Sequence, residues 1–302
     1  MNAIEINGVS KSYGAVQALD QVTLSVHEAE LFGLIGPDGA GKTTLFRILA
    51  TLLNADRGTA SVTGLDVRHN YRDIRRVVGY MPGRFSLYPD LSVEENLKFF
   101  AALFGVDMHT NYGLIAPIYR QIEPFAQRQA GKLSGGMKQK LALCCALIHQ
   151  PAVLFLDEPT TGVDAVSRSE FWQMLAGLKA QGITIFVSTP YMDEAQLCDR
   201  VALMDKGHLL AVDQPLKLAE SYGTRLYAAS AREMWPLMQA LRGMSQVEDC
   251  YTFGEAHHVV LKQGTEPEAV VEDLERNGLH DVKILPARGN IEDLFIKLMR
   301  HG

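Results

Sequence analysis

The sequence predicts an α/β fold that is built on a buried parallel sheet and followed by a smaller α+β region. Two stretches predict this fold. The apolar run of residues 31–35 leads directly into the glycine-rich residues 36–43, and the apolar run of residues 152–156 ends in two acids, Asp157 and Glu158. Continuous apolar runs are typical of strands that are covered on both faces. A glycine-rich turn between a strand and a helix is typical of a phosphate-binding loop.

The composition bounds the class of protein. The chain has 302 residues, which is long enough for two domains, and 47 % of them are hydrophobic. No apolar run approaches the roughly 18 residues of a membrane span, and the N-terminus lacks the pattern of a signal peptide. We therefore expect a cytoplasmic protein that reaches a membrane only through partners. The net charge of -6 argues against nucleic acid as a partner, because phosphate backbones need a basic surface.

Other local patterns predict the order of the elements. Residues 4–6 and 24–26 alternate between apolar and polar side chains, which predicts short strands in the first sixty residues. Residues 77–81 and 184–188 predict two further buried strands. The tripeptide Asp205-Lys206-Gly207 predicts a hairpin turn between two strands.

A helix is predicted to begin at Ser92, because Ser92 and Glu95 form the pattern of a capping box. Apolar residues at 97, 100, 101 and 104 follow the spacing of one helix face. That face either packs against the protein's own core or forms a groove that receives a partner's helix. Residues 105–131 are more polar and predict a small helical region.

Residues 36–43, the phosphate loop, carry the chemistry of anion binding. Their glycines let the backbone curl so that successive N–H groups point at an anion. Lys42 supplies a full positive charge, the Thr43 hydroxyl is a ligand suited to Mg²⁺, and the dipole of the following helix faces the same phosphates. A glycine-rich turn without a ligand is the alternative. The candidate nucleotide-binding residues here are Gly36, Asp38, Gly39, Ala40, Gly41, Lys42, Thr43 and Thr44.

Acidic and glycine-rich residues later in the chain predict the rest of the site. Asp157, at a strand end, is suited to hold Mg²⁺ through water, and Glu158 is suited to act as a general base. A solvated strand end is the alternative interpretation. Ser134, Gly135 and Gly136, the signature segment, precede an apolar helix and predict a second anion-binding helix N-terminus.

The nucleotide-binding patterns end near residue 222. From residue 226 onward the chain alternates strands and helices, with strands at 259–261 and 282–285 and helices at 268–277 and 291–299. We therefore predict two domains, residues 1–222 with the nucleotide-binding motifs and residues 223–302 as an α+β interaction or regulatory extension.

The order of these motifs closely resembles the nucleotide-binding subunit of an ATP-binding-cassette (ABC) transporter over about the first 220 residues. The C-terminal region resembles the extension of cassette subunits that serve drug-type and polyketide-type exporters. Residues 36–39 and 132–140 resemble the first cassette of tandem two-cassette exporter ATPases, which would make this chain half of a longer protein. The motifs that carry the resemblance are Tyr13, the phosphate loop, and residues 133–137, 154–159 and 162–164.

The resemblance implies a P-loop NTPase ABC ATPase fold, with a RecA-like core, an antiparallel β subdomain and a helical signature subdomain at about residues 90–150. It implies ATP and Mg²⁺ as cofactors, integral-membrane permease partners, and a peripheral location on the inner face of the cell membrane. Two cassettes of this family close head to tail, so that each ATP lies between one phosphate loop and the other signature segment. Tyr13 and Val16 then contact the nucleotide, and Asp164 belongs to the D-loop. Taken alone, Tyr13 is more typical of a packed core tyrosine or a surface tyrosine.

Two positions depart from the family pattern. Gly83 stands where the family has a glutamine that ligates Mg²⁺ and orients the attacking water. Pro190 stands where the family has a histidine that hydrogen-bonds the γ-phosphate, and proline has no donor to offer. The resemblance therefore implies an ATP site that hydrolyses slowly, next to an intact signature segment that completes the site of a second cassette.

Three alternatives remain open from the sequence. The first is a soluble cassette ATPase that acts on ribosomes or DNA, although the long insertions or basic linkers of that class are missing. The second is a nucleotide-gated scaffold without turnover, including a homodimer with two degenerate sites. The third, within the transporter class, is import rather than export, and the C-terminal extension favours export.

Overall fold

The computed structural model describes residues 1–84, 86–107, 111–223 and 225–301. Two compact units divide the chain, Met1–Pro215 and Leu216–Gly302. The boundary after residue 222 that the sequence suggests stays a prediction. Up to residue 220 the elements are, in chain order, β1 (Asn2–Tyr13), β2 (Val16–His27), β3 (Leu31–Ile35), α1 (Lys42–Leu49), β4 (Arg57–Val62), β5 (Leu65–Asp66), α2 (Tyr71–Val77), β6 (Val78–Met81), α3 (Val93–Phe104), α4 (Tyr112–Tyr119), α5 (Gly135–Leu147), β7 (Val153–Asp157), α6 (Ala165–Ala180), β8 (Thr184–Thr189), β9 (Arg200–Asp205), β10 (His208–Asp213) and α7 (Pro215–Glu220).

The central sheet of the first unit confirms the α/β prediction. Its strand order is β10-β9-β3-β8-β7-β6, and all neighbours are parallel except β10 and β9. Every residue of β3, β7 and β8 is buried, as expected for strands covered on both faces. The carboxyl ends of these three parallel strands lie at one edge of the sheet, and this edge forms the candidate site.

A second, antiparallel sheet has the order β2-β1-β4-β5. The prediction of short strands in this region was wrong, because β1 and β2 each contain 12 residues. Register shifts interrupt their pairing at several places, one of them between Ile6 and Val9. Each shift moves the apolar side chains out of simple alternation, so one long strand resembles several short ones in the sequence.

The core beneath the site contains three aromatic rings. Phe46 of α1 packs against Phe186 of β8 with 4.8 Å between ring centroids, and against Phe155 of β7 with 5.9 Å. All three side chains are fully buried. Such rings contribute large apolar areas and prefer tilted or edge-to-face contacts. They therefore fix α1, and with it the end of the phosphate loop, on the sheet.

The capping box of α3 is present. The Ser92 hydroxyl accepts from the backbone N–H of Glu95, and the Glu95 carboxylate accepts from the backbone N–H of Ser92. The predicted apolar face divides into two parts. Leu97 and Ala101 are buried in the protein's own core, and Phe100 and Phe104 are partly buried. Leu103, outside the predicted stripe, is 64 % exposed.

The second unit contains β11 (Leu226–Ser230), α8 (Met234–Gly243), β12 (Val247–Phe253), β13 (Ala256–Leu261), α9 (Pro267–Arg276), β14 (Lys283–Ala287) and α10 (Ile291–His301). Its sheet is antiparallel with the order β12-β13-β11-β14. The chain order β-α-β-β-α-β with this sheet is the ferredoxin-like arrangement, and α10 is added after it. The α+β character that the sequence suggests is present in this unit.

Candidate nucleotide-binding site

The phosphate loop connects β3 to α1, and two of its positions admit only glycine. A Cβ atom on Gly36 would lie 2.1 Å from the carbonyl oxygen of Met204. Gly41 has φ +106°, and a Cβ there would lie 2.3 Å from the carbonyl oxygen of Ala18. These glycines therefore allow the loop to curl tightly, so that the N-terminus of α1 faces the space that the loop surrounds.

Lys42 is held inside the loop, and its side chain is 3 % exposed. Its Nζ donates to the carbonyl oxygens of Gly36 at 2.7 Å and Pro37 at 2.9 Å. It also forms an ion pair with Glu158, at 3.1 Å from Oε1. The lysine charge therefore lies between the phosphate loop and the acid at the end of β7. Sequence reasoning did not predict this ion pair, because the two residues are far apart in the chain.

Asp157 and Thr43 are brought together at the end of β7. The Thr43 hydroxyl donates to Asp157 Oδ1 at 3.2 Å, and the Ser188 hydroxyl donates to the same oxygen at 2.8 Å. Asp157 is 2 % exposed. Carboxylate and hydroxyl oxygens are the hard donors that Mg²⁺ prefers, so these residues fit the predicted metal position. Ser188 is an additional residue of this group that sequence reasoning missed.

Glu158 follows β7 in an unusual backbone conformation. Its φ is +52°, in the left-handed region that few residues other than glycine adopt. The conformation is held from β8, because the Glu158 N–H lies 3.0 Å from the Ser188 hydroxyl and 3.1 Å from the Ser188 carbonyl oxygen. Strain of this kind is typical of functional sites. Here it accompanies a carboxylate that is directed toward Lys42.

Gly83 and Pro190 both border this group of residues. A Cβ atom on Gly83 would lie 3.0 Å from the carbonyl oxygen of Asp157 and 3.8 Å from the Cβ of Glu158. Pro190 directly follows Thr189, whose carbonyl oxygen accepts from the Gly36 N–H at 3.3 Å. Neither residue offers a side-chain hydrogen-bond donor or acceptor to the site.

Tyr13 and Val16 form the tip of the β1–β2 pair, where the two residues are paired across the strands. Both side chains are exposed, at 47 % and 66 %. The same strand β2 carries Ala18, whose carbonyl oxygen lies against Gly41. An exposed aromatic ring on a strand that touches the phosphate loop is a suitable platform for a nucleobase. A role for either residue stays a prediction.

The signature segment lies at the N-terminus of α5, beside the start of α6. Ser134 caps α5, because its hydroxyl accepts from the Met137 N–H at 3.4 Å. A Cβ on Gly135 would lie 3.5 Å from the carbonyl oxygen of Gly162. Asp164 caps α6 through the Ser167 N–H at 3.0 Å, and this hydrogen bond lowers the pKa of Asp164. Ser134, Gly135 and Asp164 are exposed, so this surface is open to another molecule.

Comparison with known proteins gives the family of this fold and site. A family model described as ABC transporter matches residues 19–161. The daunorubicin resistance ATP-binding protein of Streptomyces coeruleorubidus is 34 % identical over 99 % of this chain and 95 % of that protein. This chain belongs to the ABC transporter ATP-binding proteins.

Two further relatives of this ABC protein have names that refer to transport. A probable multidrug ABC transporter ATP-binding protein, YbhF of Escherichia coli, is 39 % identical over 98 % of this chain and 52 % of that protein. The chain therefore spans about half the length of that relative. The Nod factor export ATP-binding protein I of Burkholderia orbicola is 41 % identical over 72 % of this chain and 73 % of that protein.

Solved structures confirm the ABC ATPase fold. An ATP-binding subunit of an ABC transporter is 28 % identical, with a TM-score of 0.67, over 73 % of this chain and 93 % of that chain. A dimeric ATP-binding cassette in a post-hydrolysis state, bound to ADP and Pi, has a TM-score of 0.64 at 24 % identity, over 70 % of this chain and 98 % of that chain. Within the described ranges, this ABC protein has no helix that is both long and apolar enough to cross a membrane.

The family binds ATP, normally with Mg²⁺, and the residues of this ABC protein fit both. The loop N–H groups, Lys42 and the N-terminus of α1 suit the phosphates. Thr43 and Asp157 would hold Mg²⁺, which supplies charge neutralisation on the phosphates when it is bound. The site residues within this one chain form two groups, one around the phosphate loop and one at the signature segment.

The ion pair between Lys42 and Glu158 predicts an effect on ATP affinity. Changing Glu158 to Gln removes the negative charge that holds the lysine and faces the incoming phosphates. We expect the Kd of the isolated chain for Mg-ATP to fall by about fivefold, or roughly 1 kcal/mol, as for a partly exposed pair. Titration with a fluorescent ATP analogue measures it. Glu170→Gln, which removes an acid paired with Lys140 on α5, is the control and should leave the Kd unchanged. A Kd that stays constant or rises in Glu158→Gln would show that Glu158 does not compete with the phosphates for Lys42.

Proposed function

We propose that this chain is the ATP-binding subunit of an ABC exporter, that it holds ATP with little hydrolysis at its own site, and that its signature segment completes the site of a second cassette. One observation carries the proposal. Gly83 lies beside Asp157 and Glu158, and Pro190 follows Thr189 next to the phosphate loop, so neither position offers a catalytic side chain, whereas the signature segment is complete. Export is supported by the names of the Nod factor export and multidrug relatives and by the C-terminal extension.

The chain's own site is suited to binding. The phosphate-loop N–H groups and Lys42 would hold the phosphates, and Thr43 and Asp157 would hold Mg²⁺ beside them. Tyr13 is exposed on the strand pair next to the loop, in a position to stack on the adenine. These contacts would all form in the ground state, so they favour affinity more than rate.

The same site lacks the groups that orient an attacking water. Glu158 can accept a proton from water, but a general base contributes only when the water is placed in line with the phosphate. Gly83 has no side chain to place it. Pro190 has no donor for the γ-phosphate oxygens, and the loss of one such donor typically costs roughly 10²- to 10³-fold in rate. We therefore expect ATP to be held rather than turned over here.

The signature segment offers hydrogen-bond donors that could bind the ATP held by a second cassette. Ser134, Gly135 and the N-terminus of α5 form an exposed cluster of donors, and Asp164 lies on the neighbouring α6. In this arrangement the second cassette would supply its own phosphate loop and ATP. Closing and reopening of the pair would then move permease subunits in the membrane, and this chain would lie on the inner face of that membrane.

The proposed roles of the two ATP sites are tested by measuring ATP turnover of the isolated chain and of the chain with the second cassette of its complex. We expect turnover only in the pair. Rapid turnover by the isolated chain would contradict the proposal. Binding of ATP without turnover in either preparation would favour the alternative, a nucleotide-gated scaffold.

The permease is proposed to dock at the cleft between α3 and the α2–β6 segment. Leu103 of α3 is 64 % exposed there, and Leu52, 57 % exposed, lines the same cleft together with Arg75, Tyr80 and Phe104. An apolar cleft with exposed leucines suits an amphipathic helix of a membrane subunit. Leu97, for which the sequence left both the core and a partner groove open, is completely buried and belongs to the core.

Leu103→Glu is expected to reduce recruitment of the chain to permease-containing membranes by about tenfold or more, because a charge would be buried in the cleft. Co-sedimentation with these membranes measures it, and thermal unfolding checks that the variant is folded. Leu285→Glu, at a leucine that is 61 % exposed in the second unit, is the matched control. Equal recruitment of both variants would rule out this docking site.

A further inference from the structure

A buried carboxyl group lies between the phosphate loop and the start of α6. Glu194 is 2 % exposed and belongs to a short 3₁₀ turn, Met192–Leu197, that follows β8. Its Oε2 accepts from the Thr189 hydroxyl at 2.5 Å and from the Thr160 hydroxyl at 3.1 Å. A buried acid costs free energy unless it is paired, so this position of Glu194 needs an explanation. The ATP-binding chemistry described above does not use it.

On one side, Glu194 is linked to the phosphate loop through Thr189. The Thr189 carbonyl oxygen accepts from the Gly36 N–H at 3.3 Å, at the start of the loop. The Thr189 hydroxyl also accepts from the Tyr191 N–H at 3.1 Å. Thr189 and Tyr191 therefore hold Pro190 between them, and Glu194 anchors Thr189. A change in the loop on ATP binding would reach Glu194 through this single residue.

On the other side, Glu194 faces α6 through Arg168. Glu194 Oε1 lies 3.8 Å from the Arg168 Nε and, within the described part of the chain, has no hydrogen-bond partner. The Arg168 guanidinium lies 4.9 Å from the Tyr191 ring centroid, so it also contacts the segment around Pro190. The Arg168 N–H donates to the carbonyl oxygen of Asp164 at 2.9 Å, in the first turn of α6. A small movement of Glu194 would therefore make or break a charge-assisted hydrogen bond to this turn.

We propose that Glu194 is a positioning residue that couples the phosphate loop of this chain to the D-loop at Asp164. ATP in the chain's own site would shift Thr189, Glu194 and Arg168 together and so set the position of the α6 N-terminus. The coupling itself is a property of this one chain. Its consequence for a second cassette rests on the proposed function, because Asp164 and the signature segment are the parts offered to that cassette.

Trp172 provides a reporter for this coupling. It lies one turn beyond Arg168 on α6, is 4 % exposed, and lines the same cleft as Arg168 and Glu194. The chain has two tryptophans, and the other one, Trp235, is 67 % exposed in the second unit. Trp235→Phe therefore leaves Trp172 as the only indole. The emission of a buried indole next to charged groups responds to small changes in their positions.

The experiment compares Trp172 emission with ATP affinity in the full chain carrying Trp235→Phe. Mg-ATP is expected to change the emission, and Glu194→Gln to remove the change while the Kd for a fluorescent ATP analogue stays within about twofold. Arg168→Gln should have the same effect, and the two substitutions together no more than either alone, because they interrupt one coupling. Asp193→Asn, at the exposed acid that also pairs with Arg168, is the matched control and should keep the change.

Each result is decisive. An emission change that survives in both Glu194→Gln and Arg168→Gln would overturn the proposal, as would ATP binding without any emission change in the parent chain. If Glu194→Gln fails to fold, Arg168→Gln decides, since Arg168 is partly exposed. Failure of the proposed function is distinct, because it would show as rapid hydrolysis by the isolated chain and would leave the emission test unaffected.

Discussion

Introducing glutamine at Gly83 and histidine at Pro190 together is expected to raise ATP turnover at this chain's own site by about 10²- to 10³-fold. The acids and the phosphate loop are already in place, so the two substitutions would supply only the missing water-orienting and phosphate-binding groups. A Cβ on Gly83 would lie 3.0 Å from the Asp157 carbonyl oxygen, which is a tight contact. The backbone must move by a few tenths of an ångström to admit glutamine. Single-turnover hydrolysis measures the gain.

The double variant needs a control for the introduction of glutamine in place of glycine. Gly113 serves this purpose, because a Cβ on it would meet no atom within 4 Å. Gly113→Gln should leave turnover unchanged. If the double variant binds ATP normally and still shows the turnover of the unmodified chain, then Gly83 and Pro190 do not limit hydrolysis at this site.

Gly135→Asp is expected to reduce ATP turnover of the chain paired with its second cassette by about 10²-fold or more. The substitution fits the fold, since the new Cβ would have an ordinary contact of 3.5 Å with the Gly162 carbonyl oxygen. An acid in the first turn of α5 also interacts favourably with the helix dipole, so stability should be retained. The carboxylate would, however, repel the γ-phosphate that the signature segment is proposed to hold.

The effect of Gly135→Asp is measured as steady-state phosphate release by the pair, with ATP binding by the isolated variant as a second measurement. Binding should be unchanged, because Gly135 lies outside the phosphate loop. Gly113→Asp is the control for an added acid on a neighbouring helix. Full turnover in the pair carrying Gly135→Asp would show that the signature segment of this chain does not serve the second site.

Much of the site could be predicted from the sequence, because its parts are local. The phosphate loop lies between an apolar strand and a helix, and the acids at 157 and 158 directly follow another buried strand. The hairpin turn at Lys206 and Gly207 was also predicted, and both residues have positive φ. In each of these cases the determining residues are neighbours in the chain.

Features that depend on distant residues could not be predicted. The ion pair of Lys42 with Glu158 and the position of Glu194 between Thr189 and Arg168 depend on which strands are neighbours in the sheet. Strand order cannot be read from local periodicity. The long strands β1 and β2 were missed because register shifts interrupt their alternation. Whether the apolar stripe of α3 faces the core or a partner could not be decided from the sequence, because a wide apolar stripe does not show which part the core covers.

ATP at this chain's own site is proposed to stay bound with little hydrolysis while the chain serves the site of another cassette. The most direct measurement uses the pair in which the phosphate-loop lysine of the second cassette has been replaced, so that only this chain's site retains ATP. Labelled Mg-ATP is loaded and its conversion to ADP is followed by rapid quench. We expect the bound ATP to stay intact, at a rate at least about 10²-fold below ordinary turnover. Conversion at about 1 s⁻¹ or faster, the range of ordinary enzymes, would contradict the claim.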